Sequence, residues 1–152
     1  MQDSLLAALQ KAKHYCAYQE RCHSEVRDKL YSLNLHKNEV EQLLTQLIEE
    51  DFLNEERFAI AYAGGHFRTK QWGKQKIKYA LKQKQVSEYC IRKALAAITT
   101  SDYNKTFLNV ADKKLATLKS EKNIFIKKRK IKDYMQQKGF EIKLINDYLN
   151  QL

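Results

Sequence analysis

Two clusters of basic side chains hold most of the chemistry legible in this sequence. Residues 66–98 carry nine Lys/Arg against Glu88 alone, and residues 113–143 carry eleven against three acidic residues, a net charge of +8 in each. The residues singled out are Arg68, Lys70, Lys74, Lys76, Lys78 and Lys82, then Lys127, Lys128, Arg129, Lys130 and Lys132. Cations set along a helix neutralise phosphates and release their counterions. They give affinity that falls with salt and does not read bases. The competing reading is a merely solvated basic face. The clustering favours a polyanion, or a partner's acidic surface, because residues 1–55 hold six basic groups against ten acidic ones, a net of −4.

Other reactive residue types do not assemble into a site. His14, Cys16, Cys22 and His23 are close in sequence, but they lack the tight paired spacing and second distant pair of a zinc site, so no metal is expected. Glu49, Glu50 and Asp51 are adjacent rather than convergent and read as a solvated helix end. There is no phosphate-binding glycine loop, nucleophile elbow or HExxH motif. The expectation is a protein that acts by binding, without catalysis and without a cofactor.

These basic residues must be positioned by helices. The chain has 152 residues, no proline and four glycines. Sheet proteins need frequent tight turns that draw on Gly and Pro. Hydrophobic residues make up 43%, so a core can form. Three cysteines without a CxxC suit a reducing compartment. The first residues lack a signal-peptide pattern, and no apolar run approaches a membrane span. A cytoplasmic location, no membrane association and a monomer are expected.

An internal repeat organises the helices. The windows Val26–Leu47, Ile77–Ile98 and Ile131–Leu152 align without gaps at offsets of 51 and 54 residues. Apolar residues coincide at Val26/Ile77/Ile131, Leu30/Leu81/Met135, Leu35/Val86/Phe140, Val40/Ile91/Ile145, Leu44/Leu95/Leu149 and Leu47/Ile98/Leu152. The first two positions are four apart and the last three are spaced four and three, one face each of two helices. Between the helices, Asn34, Gln85 or Gly139 precedes the central apolar residue. Asn and Gly tolerate the left-handed conformation that closes a helix, and Gln is a poorer fit. A longer helix precedes each pair, over roughly 4–19, 55–68 and 104–118. Gly64-Gly65 is expected to interrupt the second of these, by a kink or a close helix approach.

The predicted fold is all-α: three tandem three-helix, helix-turn-helix-like repeats in an elongated, curved arrangement, divided as residues 1–53, 54–99 and 100–152. With Ile77 and Leu81 inward, Lys78 and Lys82 share one flank of their helix and Lys76 lies on the other, a positive belt beside the core seam. Trp72, in the basic loop 68–74, could stack on a base. Its repeat counterpart is Ile126, which favours a core role. A helix-turn-helix transcription factor would need base-reading side chains opening the second helix of the pair. Those positions are His36-Lys37-Asn38, Ser87-Glu88-Tyr89 and Glu141-Ile142-Lys143, two of them with a Glu, so this is the rival rather than the preferred function.

The stretch Tyr15–Leu30, YCAYQERCHSEVRDKL, resembles the start of the RecX family of recombination regulators. Glu49–Phe58, EEDFLNEERF, continued by Ala59-Ile60-Ala61-Tyr62, resembles that family's most recognisable segment, and Gly73, Ile77, Leu81 and Val86 follow at its spacing. The similarity covers about residues 13–98, and the third repeat joins it only through the helical pattern. Gly64-Gly65 departs from the family, which tends to bulkier, often basic residues there. The resemblance implies tandem three-helix units in an elongated arc. It also implies a modulator that lies in the groove of the RecA–single-stranded DNA filament and suppresses ATP hydrolysis, strand exchange and coprotease activity. On this reading the partners are the RecA filament and, through phosphates, single-stranded DNA.

Overall fold

The computed structural model describes residues 3–152. Among these residues the secondary structure is nine α-helices and no strand: α1 (Asp3–Tyr18), α2 (His23–Ser32), α3 (Lys37–Glu49), α4 (Glu55–Lys70), α5 (Lys74–Gln83), α6 (Glu88–Ala96), α7 (Thr100–Thr117), α8 (Ile124–Lys138) and α9 (Ile142–Leu149). They form three successive triplets, each a long helix followed by a helix–turn–helix pair, so the chain is all-α with three-helix repeats. The turn within each pair closes alike. Asn34, Gln85 and Gly139 all adopt positive φ, at 66°, 63° and 96°. Gln85 takes this conformation although its side chain disfavours it. Local caps set several starts. The Glu25 carboxylate accepts from the Cys22 backbone N–H at 3.0 Å, Glu39 from that of His36 at 2.9 Å, and Asn123 from Phe125 at 2.9 Å.

The six coincident apolar positions are not equally buried. Val26/Ile77/Ile131, Leu30/Leu81/Met135 and Val40/Ile91/Ile145 are all buried. Leu35 and Leu95 are half-buried, and Leu152 is 39% exposed. The helix-spaced seam therefore holds best on the two facing helices of each pair and loosens toward their ends.

By packing, the chain forms two compact units. One comprises the residues up to Tyr62 with Leu81–Ala94, and the other comprises Ala63–Ala80 with Leu95–Leu152. The first is centred on Leu9, Ala12, Val26, Leu30, Val40, Leu43, Leu47 and Leu53. Arg57, the arginine of the family-like segment, serves this unit by pairing with Glu20 at 2.6 Å and Asp51 at 3.1 Å, while Phe58 and Ala59 beside it are buried. In the second unit the rings of Phe67, Tyr103, Phe140, Phe107 and Tyr148 form a chain of contacts with centroids 5.3–6.0 Å apart. The Tyr103 hydroxyl donates to Glu141 and accepts from the Lys74 backbone N–H at 2.9 Å.

Each unit contains one junction built on the same plan. In the first, the turn after α5 meets the start of α2. Ser24 Oγ donates to the Lys84 carbonyl at 2.7 Å, and Lys84 Nζ pairs with Glu25 at 3.4 Å. In the second, the turn after α8 meets the start of α5. The Gly73 N–H donates to the Lys138 carbonyl at 2.7 Å and the Gln75 N–H to the Gly139 carbonyl at 2.9 Å. The repeat offsets carry Glu25 onto Lys76, Lys84 onto Lys138 and Gln85 onto Gly139. Gly73 and Gly139 lie so close that a Cβ on Gly73 would fall well inside 3.0 Å of the Gly139 and Phe140 backbone.

Gly64-Gly65 does not interrupt α4, which is helical throughout Glu55–Lys70. A Cβ on Gly64 would meet the Arg68 guanidinium at 2.7 Å, and one on Gly65 would meet nothing within 4 Å. The missing side chain therefore makes room for an arginine one turn on, not for an approaching backbone.

Candidate nucleic-acid interface

The basic residues fall on three helices. Arg68 and Lys70 lie in the last turn of α4 and are exposed. On α5, Lys78 and Lys82 are exposed while Lys74 and Lys76 are half-buried. On α8, Arg129 and Lys130 are exposed while Lys127, Lys128 and Lys132 are half-buried. Of these eleven residues only Lys130 makes an ion pair with a carboxylate among the described residues, with Glu121 at 3.7 Å.

In the second unit the positive charge gathers at two places. The first surrounds Trp72. Lys76 Nζ lies 4.8 Å and Lys70 Nζ 5.3 Å from the centre of its ring, and His66 packs against it at 4.6 Å. Lys74 Nζ sits 4.9 Å from the centre of the Tyr103 ring. Trp72 is half-buried, with lysines over its ring, and so is not fully enclosed. The sequence reading also passed over Lys138, in the last turn of α8. The Gly73–Gly139 contact brings it here, and its ammonium donates to the Lys70 carbonyl at 2.6 Å. Burial, and then the neighbouring Lys76, hold its pKa below the usual lysine range. Lys138 can be found from sequence only by carrying the repeat alignment past the apolar positions.

The second place is the start of α8. At 1.5 Å per residue, Lys127 lies about 16 Å along the helix from Lys138, so the basic residues of α8 do not form one cluster with those around Trp72. Lys127, Lys128, Arg129 and Lys130 stand in the first two turns of α8, and of these only Lys130 pairs with a carboxylate among the described residues. Beside them Phe125 is 81% exposed. Its repeat counterparts are Glu20 and Gln71, so an apolar residue where the pattern is polar was the signal that could have drawn attention to it. An open aromatic ring beside cations can stack a base while the cations hold the backbone.

The remaining candidates are accounted for locally. His23 Nδ1 lies 3.1 Å from Glu55, and Cys22 Sγ lies 3.2 Å from Ser24 Oγ. Cys16 and Cys22 are buried free thiols, and burial raises the pKa of both. At the starts of the second helices of the pairs, Glu39 caps His36, Ser87 accepts from the Cys90 N–H at 3.2 Å, and Glu141 is held by Tyr103. No described helix is long and apolar enough to cross a membrane.

Comparison with known proteins accords with this geometry. Residues 54–95 match the model of the second three-helix domain of RecX, and residues 101–149 match that of the third. The third repeat, tied to the family by sequence reading only through its periodicity, thus carries a family match of its own. The regulatory protein RecX of Clostridium perfringens (strain 13) is 32% identical over 84% of this chain, which spans 60% of that relative's length. The regulatory protein RecX of Chlorobium phaeobacteroides (strain BS1) is 30% identical, with 88% of this chain and 86% of the relative covered. The crystal structure of RecX from Lactobacillus salivarius superposes with a TM-score of 0.87 at 30% identity, covering 98% of this chain and 96% of that one. A shared helical repeat could arise by convergence, but identity at this level along nearly the whole length of two relatives does not: the chain belongs to the RecX family of regulatory proteins.

Proposed function

We propose that this protein binds the RecA–single-stranded DNA filament and inhibits its ATPase, strand-exchange and coprotease activities. It does so by occupying the filament groove, as a monomer, in the cytoplasm and without a cofactor or chemistry of its own. The observation that carries the reading is the start of α8, where four cations, only Lys130 of them paired with a carboxylate among the described residues, stand beside the exposed ring of Phe125. Phosphates would neutralise these cations and an unstacked base would cover the ring. Family membership supplies the RecA partner. The starts of α6 and α9 give less support to sequence-specific duplex reading, since Ser87 and Glu141, the first residues a base reader would use, are engaged locally.

The test is RecA-catalysed ATP hydrolysis on single-stranded DNA with increasing amounts of this protein. Turnover should fall as the filament saturates. The triple variant Lys127→Glu, Lys128→Glu, Arg129→Glu should need far higher concentrations for the same effect. Unchanged turnover at demonstrated saturation refutes the inhibitory role.

A further inference from the structure

The two repeat junctions share a backbone plan but differ in charge. In the first, a carboxylate faces an ammonium, Glu25 against Lys84 at 3.4 Å. In the second, the equivalent positions hold Lys76 and Lys138. Neither lysine, nor Lys70, nor Lys74 makes an ion pair with a carboxylate among the described residues. The backbone anchors them instead. Lys76 Nζ donates to the Gln137 carbonyl at 3.4 Å and Lys138 Nζ to the Lys70 carbonyl at 2.6 Å. An ammonium has three donors, so each keeps two for a further acceptor. The Trp72 ring, with Lys70 and Lys76 lying over it, limits where their long stems can go.

A fold that places a carboxylate at this position in one repeat can place it in the next. Two like charges at a packed junction lower stability, which leaves an anion from outside as the compensating partner. The residues are lysines throughout. Lysines meet a phosphate as point charges, and the DNA contact proposed above supplies phosphates. We propose that Lys76, held with Lys70 over Trp72, and Lys138, held by the Lys70 carbonyl, form a seat for one phosphodiester group of a single nucleic-acid strand. This deepens the reading of DNA contact given above and rests on it. It assigns a defined phosphate position some 16 Å along α8 from the cations at its start.

Trp72 is the only tryptophan, so its fluorescence reports from the seat itself. The experiment titrates the intact protein with an oligothymidylate at several salt concentrations, and repeats this with Lys76→Glu and Lys138→Gln. The wild-type emission should change saturably. Lys76→Glu copies Glu25 of the first junction and should pair with Lys138. It should therefore weaken binding about tenfold or more while leaving the thermal midpoint unchanged or higher. Lys138→Gln should weaken binding in the same direction, and the slope of log affinity against log salt should shrink by about 0.7 for the lost phosphate. A residue needed only for structure would lose binding and stability together.

If both variants bind with wild-type affinity and salt slope, the seat is wrong, whatever the RecA ATPase assay shows. If the wild-type protein binds polyglutamate more tightly than the oligonucleotide, the site is one for protein carboxylates and the proposal falls. If the wild-type protein binds no oligonucleotide, both the seat and the DNA contact of the proposed function fail. RecA inhibition then remains to be judged by its own assay.

Discussion

Gly73→Ser sets two expectations of opposite sign against each other. Gly73 immediately precedes α5, where serine is an equal or better cap than glycine, so local propensity predicts a gain of a few tenths of a kcal/mol. The packing predicts a loss. A Cβ at this position would lie well inside 3.0 Å of backbone atoms of Gly139 and Phe140, and backbone, unlike a flexible side chain, cannot rotate away. The junction must open, breaking the hydrogen bonds from Gly73 to Lys138 at 2.7 Å and from Gln75 to Gly139 at 2.9 Å. At about 1 kcal/mol each, these come to about 2 kcal/mol. Phe140 is buried against Tyr103 and Phe107, and any shift of its ring removes part of contacts worth about 0.5–1.5 kcal/mol apiece. The expected cost is about 2–4 kcal/mol. Urea unfolding followed by Trp72 emission reads it from the affected unit. With a slope of about 2 kcal/mol per molar, the midpoint should drop by about 1–2 M. A midpoint that stays put or rises would show that the glycine contact does not hold this junction, and the placement of Lys138 would lose its support.

Three further outcomes are expected. Gln85→Gly relieves a left-handed glutamine at a cost in unfolded-chain entropy, and should raise stability by about 0.5–1 kcal/mol; a lower thermal midpoint would contradict it. Glu25 is pushed up by burial, but the Cys22 N–H and thiol and the Lys84 ammonium outweigh that and hold its pKa below the ordinary 4.5. Its contribution to stability is thus present above pH 4.5 and lost as pH falls through the lower folded value. Stability-versus-pH curves of wild type and Glu25→Gln should converge in acid and separate toward neutrality, and parallel curves would refute the link. Tyr103→Phe deprives Glu141 of its donor and the Lys74 N–H of its acceptor, and should cost about 1–3 kcal/mol in denaturant unfolding, against near zero if water takes over both roles.

The helices and their grouping were legible because the apolar residues recur at helical spacing and the turns recur with them. Val26, Leu30 and Val40 and their counterparts in the other repeats are buried as that spacing requires. Even the left-handed turn at Gln85 follows from its register with Asn34 and Gly139, where residue preference argued against it. Periodicity could not show what approaches a helix from another part of the chain. Gly64-Gly65 reads as a break in one dimension, but its space is taken by Arg68 on the same helix. Gly73 is the glycine that matters for close approach, and its partner lies 66 residues away. The surroundings of Trp72 and Lys138 were not legible for the same reason, since only that approach assembles them. The basic residues themselves were found from charge alone. Their separation into a group around Trp72 and a group at the start of α8 needed the helix boundaries.

The matched junctions have a consequence for how the protein meets its ionic surroundings. One is drawn together by opposite charges, and the other holds like charges together against their repulsion with backbone hydrogen bonds and a glycine contact. Screening weakens attraction and repulsion alike. Raising the salt should therefore loosen the contact between Lys84 and the start of α2 while relaxing the strain between Lys76 and Lys138. A single change of solvent then acts with opposite sign at two places in one chain. Amide exchange near Ser24 should quicken with salt, while exchange near Gln75 should slow.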